Sequence, residues 1–377
     1  MSVRRLSWHL GLSVWILVSP AAIAGKVKAQ VFETDLEQHF TAAKGSSVSI
    51  ENLLGEIHVL PQPKGRDVRI RAHVVSEAAD AAEARRLAEE VQLVRGNEDG
   101  TVTWSVTFPE AELFRMPKDG VARVYAKWLA PLVKRKMVST RYQGREVEVG
   151  SARGATALSV VLTVEVPMDL NLTAYQHVGT LECNGVRGSV ALQVKEGELH
   201  AGRMFGELRV TTEGASARVS NFNGDTLSVE TGNGNIEVLG VRSDMVRIES
   251  ARGAVHVDQV ETVRLQASTE SGKMILQGLE PESMEVSSGT GDLDLTTELK
   301  RTQDASIRST SGNVTVRLGT FAPFQLEAKS TTGVVKGNGV NVEIDQLEKH
   351  SARLTRGSGG ANLRVESESG RVVIQPL

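Results

Sequence analysis

The 377-residue chain holds a single cysteine, which removes both an intramolecular disulfide framework and a zinc site built from several thiolates. Aromatics are scarce, with eight Phe, four Trp and three Tyr. Neither sign of charge dominates. Lys and Arg total 43 against 46 Asp and Glu, a net charge of −3, which argues against a chain-wide nucleic-acid binder. No stretch beyond the N-terminal region approaches membrane-spanning length. Signatures of chemistry are missing as well. The eight histidines are scattered without HExxH or comparable spacing. Gly232-Asn233-Gly234 lacks the helix that gives a phosphate loop its dipole. Gly357-Ser358-Gly359-Gly360 lacks the spacing of a nucleophile elbow and reads as a flexible loop. What the chain does have is 36 glycines and a hydrophobic share of 40%, enough for a buried core.

The first residues read as an address. Arg4 and Arg5 precede an apolar run from Leu6 to Val18, and Ala22-Ile23-Ala24 supplies a small-x-small end. The expectation is a secretory signal peptide over 1–24, a lead-in over 25–45 and one elongated repeat domain over 46–377. An exported chain is then periplasmic or associated with the cell surface. Cys183 falls at an inward-facing repeat position and reads as a buried, inert thiol.

The repeat becomes visible on aligning Gly234, Gly253, Gly272, Gly291, Gly312, Gly333 and Gly370. The first six are 19, 19, 19, 21 and 21 residues apart. Two positions after each Gly stands an apolar residue: Ile236, Val255, Met274, Leu293, Val314, Val335 and Val372. Four after stands another in six of the seven, with Gly337 the exception. Apolar pairs also stand five and seven before, for instance Leu227/Val229 and Val246/Ile248. Three before is always a hydroxyl: Thr231, Ser250, Thr269, Ser288, Ser309, Ser330 and Ser367. Apolar residues two apart mark a strand buried on one face. Each unit is therefore a short strand, a Ser/Thr-x-x-Gly turn and a second short strand. Such strands are too brief to stand alone and must stack on neighbouring units. Gly is expected to supply backbone freedom at the turn, and the hydroxyls to form a ladder that satisfies turn groups. Upstream, Leu181/Cys183, Val190/Leu192, Leu199/Ala201, Leu208/Val210 and Ala217/Val219 recur every nine residues, and Gly55 carries the same frame. Calcium-roll repeats need Asp two after the Gly, a slot that is apolar here in all seven units.

The fold expected is all-β: a stacked two-sheet β-solenoid or roll, with a multi-stranded sandwich as the alternative. Two excursions interrupt it. One is a flanking helix over 77–94, with Ala84, Leu87, Ala88 and Val91 on one face. The other is a basic, partly helical insert over 109–150. From Arg115 to Arg145 it carries nine basic residues against Asp119 alone, leaving −13 on the rest of the mature chain. Arg123, Lys127, Trp128, Lys134, Arg135 and Lys136 form the candidate contact to a membrane or partner. A helix packed on the stack with a solvated basic face fits the same pattern. Asp292 and Asp294, with Arg317, are weak candidates for acid/base work and equally fit ordinary strand alternation. His58 and His256 share an outward slot three after a repeat Gly.

The Ser/Thr-x-x-Gly units, such as Thr-Glu-Ser-Gly at 269–272 and Ser-Thr-Ser-Gly at 309–312, resemble the bacterial putative-adhesin β-strand-repeat family of unknown function. The strand ending Val164-Glu165-Val166-Pro167 is similar to that family too. The resemblance covers about residues 46–75 and 155–377, and the basic insert departs from it. It implies a secreted or envelope-associated, non-enzymatic β-solenoid with no catalytic residue and no cofactor. Three functions stay open at this point: a binding or structural, adhesin-like module; an envelope signalling or stress accessory working through the basic insert; and a polysaccharide-acting enzyme on a β-helix scaffold. Expected partners are an envelope protein, a glycan or an anionic lipid surface, not nucleic acid. Self-association is also expected, because the end near Ile374 shows no cap in the sequence and open strand edges are adhesive.

Overall fold

The computed structural model describes residues 29–43, 45–62, 65–118, 137–319, 321–337 and 343–377. The region expected to be a signal peptide lies outside them. The repeat folds as the spacing predicts, into parallel coils stacked one on the next. Strands Ser216–Thr231, Ile236–Ser250, Val255–Thr269 and Met274–Ser288 pair in parallel, with Ile236 opposite Val255 and Val255 opposite Met274. Upstream, Asn171–Asn184 lies between Ser47–Gln62 and Arg187–Gly202, again in parallel, so Ser47–Gln62 is the first coil. Ile236, Val238, Val241, Val246 and Ile248 point inward and are buried, while Glu237, Arg242 and Arg247 point outward. Each coil thus has two broad faces. They join at one edge through a strip of three residues, Val241–Ser243 in one coil and Val260–Thr262 in the next.

The repeat glycines form a continuous spine, but not for the reason the turns imply. None of Gly234, Gly253, Gly272, Gly291, Gly312, Gly370 and Gly333 has a left-handed φ. What requires glycine is contact. A Cβ on Gly253 would lie 1.7 Å from the carbonyl oxygen of Gly234, and one on Gly272 1.8 Å from that of Gly253. Upstream, Ala215 takes the level below Gly234, and beyond it Gly197, Gly179 and Gly55, which have left-handed φ, each press on the backbone before them. The hydroxyls behave as expected. Ser250 Oγ donates to Gly253 O at 3.0 Å and Ser309 Oγ to Gly312 O at 2.8 Å, while the Gly272 N–H donates to Thr269 Oγ1 at 3.0 Å. Left-handed backbone sits instead at the corner before the strip: Asn221, Gly240, Gln259, Gly278 and Leu299 have φ of 54°, 64°, 57°, 60° and 58°.

At the C-terminal end the order of coils departs from the order of the chain. Ala361–Ser367 pairs with Asp304–Ser309 on one side and Phe324–Ser330 on the other. Val372–Pro376 pairs with Val314–Leu318 and Val335–Gly337. The final coil is therefore inserted between the two that precede it. Ile374 lies opposite both Val316 and Gly337, which corrects the expectation of an uncapped edge there. The outermost coil is flanked by an antiparallel hairpin, Glu343–Leu347 with Ser351–Arg356. A local pattern shows which residues face the core but not which neighbour a coil takes.

The N-terminal end is closed the same way. Thr101–Thr107 continues one face and Gln92–Glu98 pairs antiparallel outside it. Thr156–Pro167 continues the other, followed by Asp67–Ala78 and Gln30–Thr41, both antiparallel. The helix spans Ala81–Glu89, shorter than the expected 77–94. Asp80 caps it, its side chain accepting the Glu83 N–H at 2.9 Å, and residues 77–78 remain in the preceding strand. Ala84, Leu87 and Ala88 are buried, as the periodicity predicts. Val91 is buried beyond the helix end. Of the basic insert, the described parts include three strands: Leu113–Arg115, Val138–Tyr142 and Arg145–Val149. The expected helical stretch lies outside the described residues.

Gly272→Ala should cost about 3 kcal/mol or more, because a backbone oxygen cannot yield to the new methyl. Gly337→Ala should be nearly neutral, since the nearest atom is Leu354 Cδ1 at 3.9 Å, an ordinary contact. Urea unfolding of the two variants checks this, and equal losses would rule out the close-contact account.

Candidate functional surface

All six residues of the candidate basic contact, Arg123, Lys127, Trp128, Lys134, Arg135 and Lys136, lie outside the described residues. At the edge of that segment, Arg115 and the Lys118 N–H both bind the buried Glu77 carboxylate, at 2.8 and 2.5 Å. Asp292, Asp294 and Arg317 are brought together on one outer face, but their groups are engaged. Asp292 Oδ1 accepts from the Asn313 N–H at 2.9 Å and its side-chain amide at 3.1 Å. Asp294 is ion-paired with Arg317. Asn235 and Asn313 use their side-chain oxygens alike, accepting from Ala254 and Arg371 N–H groups one level along. These residues tie coil to coil.

His58 and His256 do share a row, which runs His58, Glu182, His200, Arg218, Glu237, His256 over successive strands. The two histidines are too far apart to act on one atom. His58 is held between carboxylates, with Glu56 2.7 Å from Nε2 and Glu182 3.1 Å from Nδ1. The bond to Glu56 raises the His58 pKa above its ordinary value. Burial opposes this, and the charges of Glu56 and Glu182 add to it. Cys183 is buried as expected, and burial pushes its thiol up to about 12, so it is a poor nucleophile in the folded chain.

One constellation escaped the sequence. Thr140 Oγ1 lies 2.7 Å from His177 Nδ1, and His177 Nε2 lies 2.9 Å from Glu51 Oε1. The order hydroxyl, imidazole, carboxylate matches that of a hydrolytic triad, but it is inverted with respect to solvent. Thr140 and His177 are buried at 4% and 1% exposure, and Glu51 is the member facing water. Tyr142 and Tyr175 pack on the imidazole, at 5.2 and 4.1 Å between ring centres. A substrate cannot reach such a hydroxyl, so the group joins strands that the sequence holds far apart. Among the described residues, no group of three or more His, Cys, Asp or Glu is placed to hold a metal ion.

The other broad face carries an open groove of about 900 Å³. Its outward residues come from rows that run across the inserted coil: Glu285, Ser306, Arg364, Glu327 and Arg353 face one another in register. Arg308 reaches Glu285 and Glu366 at 3.4 and 3.5 Å, and Arg353 reaches Glu327 at 3.6 Å. Arg308, Arg353 and Arg364 balance Glu285, Asp304 and Glu327, with the amides of Gln325 and Asn362 among them and no aromatic side chain. The groove mixes donors and acceptors at near-zero net charge. No single residue signals it in the sequence, because its members meet only once the last coil is inserted.

A family model described as Toastrack DUF4097 matches residues 162–375, which span most of the coil stack. No curated protein matches the chain. Similar solved structures include a putative adhesin from Parabacteroides merdae, at 9% identity and TM-score 0.40 over 91% of this chain and 96% of that one. Others are a putative adhesin from Bacteroides fragilis (7%, TM-score 0.30, 91% and 97%) and a putative cell adhesion protein from Clostridium sporogenes (8%, TM-score 0.19, 91% and 100%).

The raised His58 pKa fixes a sign. Its stabilising contribution is present below the unfolded value, near about 6.5, and is lost as pH rises through the folded value. The gap in Tm between the parent chain and His58→Gln should therefore be wider at about pH 6 than at about pH 8.5. A gap that stays flat or widens toward alkaline pH would exclude the assigned pairing.

Proposed function

The chain belongs to the Toastrack DUF4097 family, and from that premise we propose that it is a binding or structural module of the cell envelope, exported and without covalent chemistry of its own. The reading rests on one observation: the polar surface is organised in rows, with outward side chains from successive coils stacked in register, while the hydroxyl, thiol and carboxylate groups that invite catalysis are buried or paired. Stacked coils offer an extended surface rather than an enclosed cavity. The groove at Arg308, Arg353 and Arg364 supplies alternating donors and acceptors at balanced charge, which suits a ligand rich in both, such as a neutral, hydroxyl-bearing glycan. With no aromatic platform, contact is made through hydrogen bonds, and affinity is low for each sugar and accumulates along the polymer.

The second reading, in which the basic segment meets an anionic membrane, rests on its charge in the sequence. One experiment separates the two. The mature chain is tested against an array of envelope glycans and against anionic and neutral vesicles at low and high salt. Two variants run alongside: Arg308→Ala/Arg353→Ala/Arg364→Ala, and Lys134→Glu/Arg135→Glu/Lys136→Glu. The expected result is glycan retention lost in the first variant and kept in the second. Salt-sensitive vesicle binding lost in the second variant would move the working surface to the basic segment. A blank result on every arm would leave a purely structural role.

A further inference from the structure

The inserted coil carries an implication that the faces do not. Residues 361–376 occupy a slot bounded on both sides by parallel edges. One edge is Asp304–Ser309 with Val314–Leu318, and the other is Phe324–Ser330 with Val335–Gly337. The slot is specific for its occupant. Gly370 presses on the carbonyl oxygen of Gly312, and Gly333 presses on that of Gly370, so only glycine fits the spine at this level. Leu363, Val365, Val372 and Ile374 fill the core between levels. Bonds reach to both neighbours. The Val314 N–H donates to Arg371 O at 2.8 Å and the Val372 N–H to Val334 O at 3.0 Å.

The coil is joined to the hairpin strand Ser351–Arg356 through Gly357-Ser358-Gly359-Gly360. Three of these residues have left-handed φ, at 65°, 74° and 86°, and nothing lies within 4 Å of the Cβ position of Gly359. An element with its own slot and a glycine-rich tether satisfies the geometric conditions for exchange between copies. We propose that this slot is an assembly site for a second copy of the chain, which donates its own residues 361–377 and receives the first chain's in return. The exchange creates no new contact. Each slot is filled by an identical segment, so concentration and the state of the tether set the balance between closed monomer and swapped dimer. This assembly is independent of what the outer faces bind.

The test uses the full chain with Cys183→Ala as background. Ser306 and Arg364 lie opposite each other on adjacent parallel strands, about 4.8 Å apart, within disulfide range. Chains carrying Ser306→Cys and chains carrying Arg364→Cys are mixed unfolded, refolded at high concentration and oxidised. A disulfide-linked heterodimer is expected, well in excess of either homodimer. The double variant Ser306→Cys/Arg364→Cys, refolded dilute, should close its bond within one chain and run as a monomer. If the double variant closes but the mixture yields only monomers, or homodimers and heterodimers in random proportion, exchange does not occur. If the double variant fails to close, the inserted register itself is wrong and the proposal falls with it.

Discussion

Everything in the stack depends on how closely one turn can approach the next. From Gly234 onward the Cα of a glycine rests against the carbonyl oxygen of the level before it, where a methyl group would overlap by more than an ångström. That contact lets the two broad faces pair level on level. It also fixes where the Ser and Thr hydroxyls can reach, three residues earlier, so that Ser250, Thr269 and Ser309 close their turns on themselves. The buried aliphatic ladder supplies the driving force, but it would tolerate several registers. The glycine spine admits one.

The parts of the fold that the sequence discloses are those set by local chemistry. Alternating Val, Ile and Leu mark the buried face, a hydroxyl three before a glycine marks the turn, and Ala84, Leu87 and Ala88 mark the helix. The reason for glycine was not legible, because a tight turn and a crowded contact select the same residue. The corner spine was hidden because Asn221, Gln259 and Leu299 share a backbone conformation without sharing a side chain. The position of the last coil could not be read at all. Ser367 and Gly370 satisfy the repeat whichever level they occupy. The candidate surface follows the same division. Strand alternation puts Asp292 and Asp294 on an outer face, but their engagement along the stack comes from Asn313 and Arg317, 21 and 23 positions away in the next repeat. The Thr140, His177 and Glu51 group joins segments separated by 37 and 126 residues.

Two kinds of polar order coexist on this scaffold. Inside, groups such as Glu77 with Arg115, and His177 with Thr140, are single and fully used; they fix elements that a repeating core cannot distinguish. Outside, ion pairs such as Arg308 with Glu285 repeat with the coils and remain in water, where each contributes little to stability. The outer rows are thus available for exchange with a partner, while the inner groups are not.

The order of the coils bears on when the molecule can be completed. A solenoid built strictly in sequence can close each level as its residues emerge, so its exposed edge is short-lived. Here the edge formed by Asp304–Ser309 and Val314–Leu318 must wait for partners 58 residues further on. With the N-terminal end leading, the levels formed by Asp304–Leu318 and Phe324–Gly337 stay open until residues 361–376 arrive. They then close in one long-range step whose cost is set by loop closure rather than by local propensity. Loss of residues 361–376 leaves two unpaired parallel edges facing each other, a state open to aggregation and proteolysis.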